Sequence, residues 1–253
     1  MHVHLPKPLH GWREFFGEVG IIVLGVLIAL GFGQIVEQWQ WHKDAGTARQ
    51  GIANELATSA QQSAERLSVE DCLRDRIKEL AAKLNSSNGR WSANPMPLAR
   101  GVKWSPHWDN HSMARVYSAP LRGWSQDVWD TAKSTGVLDH MGHDEVALYS
   151  AAYGEIAAIR EFQGEELPLE SKLTFLSVDQ RLDNSSRIGA LGTLGQLDML
   201  NTTISGLSSL LIDQIKGMHL RVDRSAFSSA LSAMITEQRN YRGRCVKDVQ
   251  LSF

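Results

Sequence analysis

Hydrophobic and polar positions along this chain follow two regimes. The first is an uncharged run from Val19 to Val36, VGIIVLGVLIALGFGQIV, closed off by Glu18 and Glu37. A helix of those 18 residues rises roughly 27 Å, close to the roughly 30 Å hydrocarbon core of a bilayer. Phe15, Phe16, Trp39 and Trp41 sit where aromatic rings favour the two membrane interfaces. The pattern predicts a transmembrane helix over 15–41, after a short segment 1–14.

The second regime is amphipathic. Ile52, Leu56, Ala60, Ala64 and Leu67, then Leu73, Ile77, Leu80 and Leu84, recur at three and four residues in a stretch rich in helix formers. The anchor is therefore expected to continue as a helical stalk. Gly46 and Gly51 are expected to soften it, Ser68 and Asp71 to form a capping box that restarts it near Val69, and the turn formers 85–89 to end it. From 85 to 120, prolines and the tryptophans Trp91, Trp104 and Trp108 predict a packed loop. Ser125 is placed to cap a helix to Ser134, with Gly136 as its left-handed exit. Asp144 is placed to cap a helix through Val146, Tyr149, Tyr153, Ile156 and Ile159 that ends before Pro168. A near-heptad stripe, Leu197, Leu200, Ile204, Leu207, Leu211 and Met218, predicts a long helix from about 188 to 222 that packs on the stalk or on a second copy. Asp223 or Ser225 caps a last helix carrying Phe227, Leu231, Met234 and Ile235. The expected fold is all-α: one N-terminal transmembrane helix continuing into a bundle of four to five helices, with a Trp/Pro-rich packed loop.

Two motifs add a resemblance. Gly17-Glu18 followed by Leu24-Gly25-Val26-Leu27-Ile28-Ala29-Leu30 and a Trp-containing exit, and later Trp129 to Leu138 followed by Tyr149, resemble a widespread bacterial family of single-pass membrane proteins of unknown function. The resemblance implies a short inner terminus, one span and a helical extracytoplasmic domain. It brings no catalytic residues.

Topology rests on few charges. Lys7 and Arg13 before the span balance Lys43 and Arg49 after it, and the amino terminus tips the count towards a cytoplasmic N-terminus. The apolar run is longer than a signal-peptide core and its best cleavage-like site, Ala29-Leu30-Gly31, lies inside it, so a permanent anchor is expected. The location expected is a bacterial inner membrane, with 42–253 in the periplasm. There the two cysteines, Cys72 and Cys245, would form one disulfide; in a cytosolic domain they would be two thiols.

Within the span, Gly25, Ala29 and Gly33 form a ridge of small residues, with Glu18 on nearly the same face. Such a ridge admits another helix to backbone contact, so the partners expected are the bilayer and other transmembrane subunits or a second copy. A net charge of -2 argues against nucleic acid, which needs a concentrated basic surface. His107 and His111, four apart, with His140 and His143, are weak candidates for a metal site. Adjacent Glu165 and Glu166 diverge by about 100° on a helix and read as a solvated surface. Gly189, Gly192 and Gly195 lack the strand and lysine of a phosphate loop.

The leading expectation is a non-catalytic accessory subunit or tether of a membrane complex, with no cofactor. A periplasmic ligand-sensing domain signalling through a partner is the alternative, and a metal-dependent hydrolase a further one.

Overall fold

The computed structural model describes residues 11–96 and 115–251. It is all-α: one long apolar N-terminal helix continues into a helical domain, with five α-helices among the described residues. The first, α1 (Trp12–Ser86), is a single helix of 75 residues. Its apolar window has mean hydropathy 2.5 and none of it is buried within the protein, so the helix is long and apolar enough to cross a membrane.

Beyond Ala45 the same helix becomes the centre of the domain. From Ser59 to Val69 no residue is exposed. The helices around it are α2 (Asp127–Ser134), α3 (His143–Lys172), α4 (Asn184–Gly217) and α5 (Arg224–Arg242). Two residue pairs, Arg90–Trp91 (β1) and Gln180–Arg181 (β2), join antiparallel at the far end, where Trp91 is buried and its Nε1–H donates to the Leu176 carbonyl at 2.7 Å. Contacts at Arg49–Glu145 and Arg66–Glu166 run α3 parallel to α1. Gln50 to the Arg221 carbonyl and Asn201 to the Glu70 carbonyl run α4 antiparallel. The stripe residues Leu197, Leu200, Ile204 and Leu211 are buried, and α4 has the most extensive contact with α1.

Several local expectations are corrected. Gly46 and Gly51 lie inside an unbroken α1, and Gly51 has a packing reason: a Cβ there would stand 2.8 Å from Val128 Cγ1. Nothing restarts at Val69; the Ser68 hydroxyl donates back to the Glu65 carbonyl at 2.7 Å. The helix α3 starts at His143, ahead of Asp144, and runs through Pro168 to Lys172. A proline inside a helix costs about 3 kcal/mol, and here the residues on either side, Glu166 and Glu170, are pinned by Arg66 and by the Ala119 amide. The fourth helix starts at Asn184, where the Asp183 carboxylate accepts from the Ser186 amide at 2.6 Å, and ends at Gly217. Asp223, rather than Ser225, caps α5, accepting from the Ser225 and Ala226 amides. Gly136 has φ 73 in the turn after α2, as its placement in the sequence predicts.

Cys72 of α1 and Cys245 of the tail are joined, Sγ–Sγ 2.13 Å. Around the bridge, the Lys247 amide donates to the Ser68 carbonyl at 2.9 Å and Lys247 Nζ pairs with Asp71 at 2.5 Å. The Lys247 contact holds the Asp71 carboxyl below its ordinary range.

Candidate functional site

The apolar part of α1 carries Glu18, Gly25, Ala29 and Gly33, all exposed. A Cβ added at Gly25 or Gly33 would meet nothing within 4 Å. The small-residue face is thus open to whatever lies beside the helix.

Deeper in the bundle lies a polar layer built around two consecutive residues, Glu65 and Arg66. Neighbours on a helix point about 100° apart, so the two reach different partners. Glu65, fully buried, accepts from Arg122 Nε at 2.6 Å and Nη2 at 2.5 Å and from Gln238 Nε2 at 2.8 Å. Arg66 donates to both oxygens of Glu166, at 3.0 and 2.7 Å, and to Asn201 Oδ1 at 3.3 Å. Glu166 is therefore a buried ion-pair partner, which corrects its expected place on a solvated face.

This layer clasps an extended strap, 115–126. A strap outside any sheet must find partners for its backbone groups, and here side chains supply them. Arg76 Nε donates to the Val116 carbonyl at 2.8 Å, and Arg242 Nη2 to the Ser118 carbonyl at 2.6 Å. Glu170 accepts from the Ala119 amide at 2.6 Å. The Gln163 carboxamide pairs with the Arg122 backbone in both directions, Nε2 to O at 2.8 Å and N to Oε1 at 3.2 Å, and its Oε1 also accepts from Trp124 Nε1 at 3.1 Å. Between strap and α3 is a cavity of about 20 Å³ lined by Arg115, Gln163, Glu166 and Glu170, the size of a single water. Burial pushes the Glu170 carboxyl up to about 7, against the Ala119 amide that favours its charge. Burial raises the Tyr117 phenol and lowers the Arg242 guanidinium, whereas the hydrogen bonds that Arg122 donates to Glu65 raise Arg122.

A second polar cluster sits nearer the apolar end of α1. Glu55 accepts from Ser125 Oγ at 2.7 Å, from the Val128 and Trp129 amides at 3.3 Å each, and from the Tyr153 hydroxyl at 2.5 Å. A carboxylate from another helix thus caps α2, while Ser125 Oγ, besides donating to Glu55, accepts from the Asp127 amide. Trp129 stacks on Tyr153 at 4.9 Å and meets Tyr149 edge-on. Tyr149 donates to Glu145, whose two oxygens also share the Arg49 Nε–H; burial alone would raise Glu145, and these two donors bring it below its ordinary range. The tryptophan and tyrosine of the second sequence motif therefore pack the short helix α2 onto α3.

Of the weak metal candidates, His107 and His111 lie outside the described residues. His140 stacks on Trp41 at 4.1 Å and His143 is exposed at the start of α3. Among the described residues no three His, Cys, Asp or Glu side chains converge on a metal-sized site. The chain matches no protein-family model, no curated protein and no solved structure.

The polar layer was missed in the sequence because Glu55, Glu65, Arg66, Glu166 and Glu170 sit in otherwise ordinary helical text. The only trace is an Ala/Ser-rich run, Ala57 to Ala64, whose small side chains let helices approach from every side.

Proposed function

We propose that the chain is a single-pass membrane protein acting as a non-catalytic accessory subunit or tether of a membrane complex. The continuity of α1 carries this reading: one helix is apolar and uncovered over its first turns and the centre of a packed bundle over its last. Anchor and domain are one rigid piece, so whatever binds the span fixes the position of the domain. The open Gly25, Ala29 and Gly33 face, with Glu18 at its edge, is the surface for a partner helix, where dispersion and close backbone approach drive association in lipid. The Cys72–Cys245 bridge favours an oxidising compartment, hence a bacterial inner membrane with the N-terminus cytoplasmic and 42–253 periplasmic. The strap and its ion pairs give this domain a rigid body rather than a reaction centre.

The test is extraction from native membranes in mild detergent through a C-terminal tag, with mass spectrometry of the co-purifying proteins, beside a Gly25→Leu/Gly33→Leu variant. Stoichiometric membrane subunits that disappear in the variant support the proposal. A protein that emerges alone from both preparations removes it.

A further inference from the structure

The small-residue ridge of α1 continues beyond the apolar run. An α-helix returns to the same direction after about 18 residues, or five turns, so on this unbroken helix Ala29, Thr47 and Glu65 share one direction, as do Gly25, Lys43 and Gln61. Along that line Lys43, Thr47, Gln50, Asn54 and Thr58 are exposed, as the ridge itself is. Ala45, Ile52 and Leu56, on the opposite side over the same stretch, are buried. The line closes where α5 begins: Gln61 Nε2 donates to the Phe227 carbonyl at 2.9 Å, and Glu65 accepts from Gln238 at 2.8 Å. From Val36 to Thr58 the open seam is thus roughly 33 Å long, and it ends against the N-terminal end of α5.

The chemistry of the seam is that of a packing surface. Beyond Lys43 it carries no charge, and its polar groups are tied back onto the protein. Thr47 Oγ1 donates to the Lys43 carbonyl at 3.1 Å and Thr58 Oγ1 to the Asn54 carbonyl at 3.0 Å, while Gln50 Nε2 donates to Asn54 Oδ1 at 3.2 Å and to the Arg221 carbonyl at 3.3 Å. Donors already engaged lose little when water leaves, so this surface can be covered at small desolvation cost. A second copy does not fit it. Two copies face to face along the seam would hold their α1 axes about 8–10 Å apart. Above Thr58 that space on each copy is filled by α5, itself about 10 Å across. A lone helix that ends or turns away by the level of Thr58 does fit.

We propose that the partner is a transmembrane helix of another subunit that stays helical for about six turns outside the bilayer and packs along α1 from Gly25 to Thr58, as far as the N-terminal end of α5. The inference rests on the accessory role and the glycine ridge proposed above. In lipid the two helices meet by close backbone approach. Outside it they meet over methyl and amide groups, and Lys43 selects a partner with a carboxylate opposite it just beyond the membrane.

The full chain carries a photo-cross-linking phenylalanine analogue at Ile22, Thr47 or Asn54 on the line, or at the exposed positions His42 and Thr202 away from it, and is irradiated in native membranes. The three positions on the line should capture one and the same membrane protein, and His42 and Thr202 should not. The cross-linked residues of that protein, read by mass spectrometry, should lie in one segment, with the Thr47 and Asn54 sites about 25 and 32 positions from the Ile22 site, the spacing of a continuous helix. The Asn54 adduct should be lost in the Gly25→Leu/Gly33→Leu variant. A partner captured at Ile22 alone overturns this inference and leaves the ridge intact. Adducts joining two copies of the chain overturn the choice of partner, and adducts as abundant at His42 and Thr202 as on the line overturn the seam. No adduct at any of the three positions overturns the ridge as well.

Discussion

Arg66 and Glu166, separated by 100 residues, meet through two hydrogen bonds with side chains only 4% and 3% exposed. A pair this deep contributes little over a well-packed apolar pair, because desolvation offsets the attraction, but removing one partner strands the other charge. Arg66→Met alone should therefore destabilise the domain by roughly 3–5 kcal/mol, and Arg66→Met/Glu166→Leu should recover most of that loss. Chemical denaturation in mild detergent, followed by near-ultraviolet circular dichroism, distinguishes the two. A double variant as unstable as the single one would show that the pair contributes more than mutual neutralisation.

Glu170 makes stability depend on pH. Its carboxyl is raised from 4.5 to about 7 in the folded protein, so the folded state binds the proton more tightly than the unfolded chain. Its favourable contribution is complete below about 4.5, falls as pH rises, and is gone above about 7. Glu170→Gln keeps an acceptor for the Ala119 amide without the charge. It should stabilise the protein near pH 8 by on the order of 3 kcal/mol and change little near pH 4. Melting temperatures of both proteins across that range provide the check; parallel curves would contradict it.

Gly51 leaves room for Val128. Because a Cβ at Gly51 would lie 2.8 Å from Val128 Cγ1, Gly51→Ala should cost about 1–3 kcal/mol by overpacking. Val128→Ala in the same chain should recover part of it, a coupling that a double-mutant cycle reads directly. Additive effects would mean that α2 does not rest on this glycine.

The Cys72–Cys245 bridge spans 173 residues of sequence. Cross-linking so long a loop removes entropy from the unfolded chain worth about 5 kcal/mol in the chain-entropy model. Cys72→Ala/Cys245→Ala should lower the melting temperature and speed amide exchange in 246–251, where Val246 and Lys247 now dock. Unchanged exchange there would show that the docking contacts hold the tail unaided.

The long elements of this fold were legible because they repeat. The Leu197 to Leu211 stripe and the run from Ile52 to Leu84 each present apolar side chains at helical spacing, and the uncharged stretch before them is unlike anything else in the chain. What periodicity could not convey is that α1 is enclosed on every side from Ser59 to Val69. A buried stripe marks one face, so Ser59, Ser63 and Glu65 read as the wet face of a stalk although all three are buried. The clasp around 115–126 was hidden for a related reason. Its partners come from α1, α3 and α5, and no local spacing announces that Gln163 will meet the backbone of Arg122. Helix limits failed where a distant contact outweighed a local breaker, as Arg66 and Ala119 do on either side of Pro168.

A helix of 75 residues is also a lever. It is roughly 110 Å long, and the bundle encloses it from Ser59 to Val69, so in the anchored arrangement proposed above a change of angle within the bilayer is passed on to the domain. If a thinner membrane tilts the span by about 10°, the tip of the domain near Ser86 swings by roughly 11 Å relative to the point where the helix leaves the lipid. Under the proposed anchoring, bilayer thickness is a mechanical input to the position of everything the domain carries.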